Sequence, residues 1–153
     1  MDKKFAFKQS GVFLVAILLL TLFNIGYVSI EIYKSSMSQP MVSGSTITEA
    51  EFSRLSTLSQ YALILETAFL ILIILNICLT ITKRNKLVLI GILLHLGFLI
   101  VLFSVNTVIA AIFHAPVGNM RQIVYIPFII VGGAASYVVL RHVMAKRGVF
   151  SLK

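Results

Sequence analysis

Five carboxyl, amide or imidazole side chains stand well inside otherwise apolar stretches of this chain: Asn24, Glu66, Asn76, His95 and Asn106. An ionisable or amide group at membrane depth costs several kcal/mol unless a partner satisfies it, so such residues either do chemistry or hold helices together. Glu66 is the natural proton- or cation-binding group of the set, with Asn24 and Asn106 as neutral partners. Its plainer role is interhelical hydrogen bonding, each bond worth about 1 kcal/mol or less. His95 invites a metal or haem reading. However, His114 and His142 lie at other depths, and His114 stands nineteen residues from His95, nearly 30 Å along one helix, so the two cannot share an ion. His95 is read instead as a core histidine with its ring nitrogens satisfied. Glu31 and His114 fall near the ends of apolar runs and are expected to be solvated.

Other chemistry is not signalled. No nucleophile with a neighbouring base, paired carboxylates, glycine-rich phosphate loop or metal-ligand spacing can be found. The single cysteine, Cys78, lies in an apolar run and offers neither an intramolecular disulfide nor a thiolate metal site. The expectation is a protein that is not an enzyme and that holds no cofactor or metal.

The elements that position these residues follow from composition. The chain has 153 residues, 59% hydrophobic and 12% charged, with mean hydropathy +1.02 and net charge +8. A soluble domain carries about twice that charged fraction. With so few polar side chains no water-facing surface can be clothed, which excludes a soluble monomer, a disordered chain and a coiled coil. The solvent is lipid. Runs long enough to cross a hydrocarbon layer of about 30 Å occur at 11–33, 61–82, 87–113 and 122–144. The expected fold is an all-α, polytopic membrane protein, a single domain built as an antiparallel four-helix bundle. The first run follows Lys3, Lys4 and Lys8 like a secretory signal, yet it is too long for a signal core and lacks a small-x-small cleavage site, so it reads as an uncleaved first helix.

Charge placement orients the bundle, because cytoplasmic flanks accumulate Lys and Arg. Lys3, Lys4 and Lys8, then Lys83, Arg84 and Lys86, then Arg141, Lys146, Arg147 and Lys153 share one side. Lys34, Arg54 and Arg121 on the other are balanced by Glu31, Glu49 and Glu51. Both termini are therefore expected in the cytoplasm, in a bacterial plasma (inner) membrane. Tyr33, Tyr61 and Tyr125 mark the outer edge. The excess positive charge thus encodes orientation, and nucleic acid binding loses its support.

Connections differ in length. Lys83-Arg84-Asn85-Lys86 makes a tight hairpin, and Pro116 and Gly118 break the pattern between His114 and Arg121. The outer segment 34–60 opens as a polar loop through Ser35–Pro40 and Ser43-Gly44-Ser45. Thr48 and Glu51 then form a capping box flanked by Ile47 and Phe52 as a hydrophobic staple, with Phe52, Leu55 and Leu58 at helical spacing. An extracytoplasmic helix should start near Glu49 and lead into the second span. Phe52, Arg54 and Leu55 are its candidate binding residues.

Depth along each span predicts two polar layers, Asn24 with Glu66 and Asn106, and Asn76 with His95. Pairing of Glu66 with Asn106 and of Asn76 with His95 follows. His95 and Asn106, eleven residues apart, share a face that should point inward. Pro127 should kink the fourth span and free a carbonyl near Ile123. Gly132 with Ser136, and Gly97 with Ser104 and Ala111, form small-residue strips that allow close helix approach, inside one bundle or between two copies.

Two functional readings result. One is a binding protein in the lipid bilayer, an accessory subunit or immunity-type partner of another membrane protein or toxin, acting through partner helices, self-association or the outer segment. Membrane-embedded immunity proteins and accessory subunits share this size and basic inner face, although no motif carries the likeness. The alternative is a small dimeric transporter or channel coupled to protons or cations through Glu66.

Overall fold

A computed structural model describes residues 3–42, 48–81 and 87–146. It is all-helical: α1 (Lys3–Val42), α2 (Glu49–Ile81), α3 (Leu87–Ile112) and α4 (Val117–Lys146). All four are long and apolar enough to cross a membrane, so the described residues form four candidate spans of a multi-pass membrane protein. The tight turn around Lys83, Arg84 and Lys86, the Ser43–Ser45 segment, Ile47 of the staple, and the basic Arg147 and Lys153 lie outside the described residues.

Each helix turns one stripe inward at steps of three and four residues, as a 3.6-residue repeat requires. On α1 the stripe is Ala16, Leu20, Asn24, Tyr27, Glu31 and Ser35; on α3 it is Ile92, His95, Leu99, Leu102, Asn106 and Ala110. Phe69, Ile73 and Ile77 of α2 and Ile123, Val124 and Val131 of α4 complete the core. The outward faces are just as apolar, with Leu14, Leu18, Leu63, Ile90, Ile112 and Ile129 all exposed. In lipid such faces bring no hydrophobic penalty, and helix association rests on close packing and on polar contacts.

Phe13 meets His95 and Asn24 meets Asn106, so α1 and α3 run in the same sense. α4 returns beside α3, with Met120 against Asn106 and Arg121 against Thr107. The end of the bundle that carries the α1–α2 and α3–α4 connections is called the distal end below. The most extensive packing is α3 on α4 and α1 on α2, with α2 on α4 joining the two pairs. α2 and α3 touch only thinly despite their short connection, at a crossing where a Cβ on Gly91 would lie 3.0 Å from Thr80 Cγ2. A second close approach puts the Cβ position of Gly26 3.2 Å from Leu65 Cδ1.

Within the bundle these approaches, and not the small-residue strips, bring helices close together. Gly97, Gly132 and Gly133 have open space where a Cβ would stand, and Gly97, Ser104, Ala111 and Ser136 are exposed. Two residues along a helix is a rotation of about 200°, so the inward position of His95 and Asn106 itself turns Gly97 and Ser104 outward.

Helix ends account for the other departures. α1 continues through Ser35–Pro40, where a loop is expected, to Val42. Ser36 Oγ donates to the Tyr33 carbonyl (2.7 Å) and Ser38 Oγ to that of Ser35 (3.0 Å), so these hydroxyls are satisfied on the helix itself. α4 starts at Val117, five residues before the expected 122, because Pro116, with no N–H to satisfy and a fixed φ, suits a helix start. His114 takes φ 50°, and the Ala115 N–H reaches back to the Ala110 carbonyl (3.0 Å), a Schellman cap closing α3. The capping box forms as expected. The Thr48 N–H donates to Glu51 Oε2 (2.9 Å) and the Glu51 N–H donates to Thr48 Oγ1 (3.3 Å). Thr48 thereby holds the Glu51 carboxyl below its usual range. From this cap α2 runs unbroken for 33 residues, about 50 Å, so its first turns stand clear of a hydrocarbon layer about 30 Å thick.

Candidate functional site

The polar residues gather at the distal half of the bundle, where α1, α3 and α4 lock together. Asn24 and Asn106 are buried at 4% and 0% exposure. They exchange reciprocal amide hydrogen bonds, Asn24 Nδ2 to Asn106 Oδ1 at 3.0 Å and Asn106 Nδ2 to Asn24 Oδ1 at 2.9 Å. Asn106 Nδ2 also donates to the Met120 carbonyl (2.9 Å), tying in α4. One turn nearer the distal end, Tyr27 Oη donates to the Asn119 carbonyl (2.8 Å) and Asn119 Nδ2 donates to Glu31 Oε2 (3.2 Å). Glu31 is not solvated as expected. It is buried, and its Oε1 accepts from Lys34 Nζ at 2.7 Å. The reason is its position on the inward stripe of α1, seven residues from Asn24, with the α4 start folded over it.

Glu66 does not meet Asn106. It is half-buried and accepts from Gln122 Nε2 (3.2 Å), joining α2 to α4. The amides of Asn24 and Asn106 satisfy each other, and α4 takes the place beside α2 that α3 was expected to fill. Arg121 donates from Nε to Thr107 Oγ1 (2.9 Å) and lies over the Phe103 ring, 4.6 Å from its centroid.

The second expected pair also resolves differently. Asn76 and His95 are both buried, but each bonds within its own helix, Asn76 Nδ2 to the Leu72 carbonyl (3.2 Å) and His95 Nδ1 to the Gly91 carbonyl (2.8 Å). A carbonyl only accepts, so in the neutral ring the proton is on Nδ1. His95 Nε2 has no hydrogen-bond partner, and the Phe13 ring stands edge-on to the imidazole at 5.0 Å. The reading of a histidine with both nitrogens satisfied is thus half right. The thin contact between α2 and α3 explains why the amide does not reach across.

At the distal tip Phe52 is 66% exposed, Arg54 is exposed and Leu55 is half-buried. Tyr33 and Tyr61 are exposed near this end, whereas Tyr125 lies deeper, six residues past Asn119 along α4. Among the described residues no three His, Cys, Asp or Glu side chains group as a metal site, and Cys78 is exposed.

Sequence reasoning missed Tyr27, Asn119, Gln122 and Thr107. Tyr27 follows Asn24 at the three-residue step of one helix face, a readable signal. Asn119 falls in the connection expected between His114 and Arg121, which α4 takes up from Val117 onward. Chemically the arrangement is a set of amides, a phenol and a carboxylate that satisfy one another across helices, which is what a structural lock requires. The sequence matches no family model, no curated protein and no solved structure.

Proposed function

We propose that this is a small integral membrane protein of the bacterial plasma membrane that acts by binding, as an accessory subunit or immunity-type partner of another membrane protein or toxin. The observation that carries the reading is the projecting distal hairpin. Glu31 is level with Asn119 at the start of α4, yet α1 continues through residues 32–42, about 16 Å of helix, and residues 49–60 of α2 flank it. A capped helical tip that presents Phe52 and Arg54 above the bundle is a surface suited to a partner, since aromatic and Arg side chains dominate binding hot spots. Helix directions bring the amino end of α1, the carboxyl ends of α2 and α4 and the start of α3 to the opposite end. Lys3, Lys4 and Lys8 of α1 and Arg141 and Lys146 of α4 fall there, against Lys34, Arg54 and Arg121 towards the distal end, which supports cytoplasmic termini and an extracytoplasmic distal end.

The test is purification of tagged protein from its native membranes in mild detergent. A membrane protein should co-purify stoichiometrically, and the paired change Phe52→Asp with Arg54→Glu should reduce its recovery about tenfold or more. Recovery of free protein only, or equal recovery with both changes present, overturns the reading.

A transporter coupled through Glu66 has one observation in its favour. This half-buried carboxylate at membrane depth uses one oxygen, on Gln122. In liposomes Glu66→Gln should then abolish proton or cation flux. Unchanged flux, or none from the unaltered protein, rejects that alternative.

A further inference from the structure

Below Arg121 an apolar groove of about 300 Å³ opens between α3 and α4, lined by Ile100, Phe103, Val124, Tyr125, Phe128 and Ile129. We infer that it is a binding site for an anionic phospholipid, with one acyl chain in the groove and the headgroup phosphate on Arg121. The lining contributes no polar surface, which suits hydrocarbon alone. The α4 lining runs from Val124 to Ile129, five residues or about 8 Å, against a leaflet half-thickness of about 15 Å, and it begins less than one helical turn past Arg121. The groove therefore holds about half of one chain's passage through a leaflet, the half next to the headgroup.

The charge at its mouth names the headgroup. Arg121 is half-buried and fixed in place by Thr107 through Nε and by the Phe103 ring beneath the guanidinium. Among the described residues no carboxylate stands within ion-pairing distance of it. Its terminal nitrogens thus remain for a phosphate, which the planar guanidinium suits in bidentate geometry. Phe103 joins the two halves of the site, because the same ring supports the guanidinium and walls the groove, edge-on to Tyr125 at 6.1 Å. The site does not depend on the binding reading above or on which face of the membrane is distal.

The chain contains no tryptophan, so Tyr125→Trp makes a single fluorescent reporter within the groove. In zwitterionic vesicles doped with phospholipid brominated in its acyl chains, brominated phosphatidylglycerol should quench it at about fivefold lower mole fraction than brominated phosphatidylcholine. Adding Arg121→Gln should erase that preference and Arg121→Lys should keep most of it. Because Arg121→Gln leaves the groove intact, quenching by phosphatidylcholine should persist and reports that the bundle is folded. Quenching that rises equally with both lipids overturns the proposal. So does a reporter shielded from both, since a second copy or a partner helix then fills the groove.

Discussion

Replacing Asn106 with leucine should destabilise the bundle by about 2 kcal/mol, far more than a typical polar substitution between membrane helices. The side chain is fully buried and takes part in three hydrogen bonds, two with Asn24 and one to the Met120 carbonyl. Interhelical bonds of this type average only about 0.6 kcal/mol when both partners can find substitutes in the unfolded state. Here the loss strands the Asn24 amide and one carbonyl in a dry core, and stranded groups cost about 1 kcal/mol or more each. Removing both amides, Asn24→Leu with Asn106→Leu, should recover part of the loss, since no orphaned amide remains. Helicity followed through a titration of dodecyl maltoside micelles with sodium dodecyl sulfate measures all three variants. A single-variant loss below about 0.5 kcal/mol would falsify the view that this pair locks α1, α3 and α4 together.

The same pair shows what could be read from residue order. Apolar run length located all four helices, because only a helix satisfies its own backbone in lipid. Position along each run placed Asn24 and Asn106 at one depth, and the eleven-residue spacing placed His95 and Asn106 on one face. Both results need only the helical rise and repeat. The capping box at Thr48 and Glu51 was legible for a similar reason, being entirely local.

What was not legible depends on which helix stands beside which. Pairing Glu66 with Asn106 requires that a short connection make α2 and α3 close neighbours along their length. Instead α2 packs more closely on α4, and Gln122 receives the carboxylate. Connection length limits the distance between helix ends and does not decide packing along the shaft, which the close approaches of Leu65 to Gly26 and of Thr80 to Gly91 help to set. The serine run after Lys34 misled for a different reason. Serine favours loops because its hydroxyl competes for backbone groups, but at Ser36 and Ser38 that bond goes to a carbonyl three residues back and leaves the helix intact. The extra turns of α1 make the distal feature a two-helix projection rather than one helix beneath a loop. Glu31 was misplaced by the same shortening of α1, since a residue expected at a helix end lies well within one.

Lys34→Met should be the most damaging single change at the distal end, with an expected loss of about 3 kcal/mol. The magnitude turns on burial. An ion pair between exposed side chains contributes about 0 to 1 kcal/mol and is screened by salt. Here the Glu31 side chain is 5% exposed and that of Lys34 20%, with 2.7 Å between Nζ and Oε1. Removing the ammonium leaves a buried carboxylate whose remaining contact is the amide of Asn119 at 3.2 Å. That amide donates a hydrogen bond and carries no charge, so it cannot compensate. The decisive comparison is therefore Glu31→Gln combined with Lys34→Met, which removes both charges and keeps an amide opposite Asn119. The combined variant should regain most of the loss, as replacement of a whole buried pair by neutral groups commonly does. Because the pair is mostly shielded, the cost of Lys34→Met should change little between low and high salt. A cost under about 1 kcal/mol that disappears in high salt would instead place Lys34 and Glu31 among ordinary surface pairs. In that case the polar tie between α1 and the start of α4 would rest on Tyr27 and Asn119.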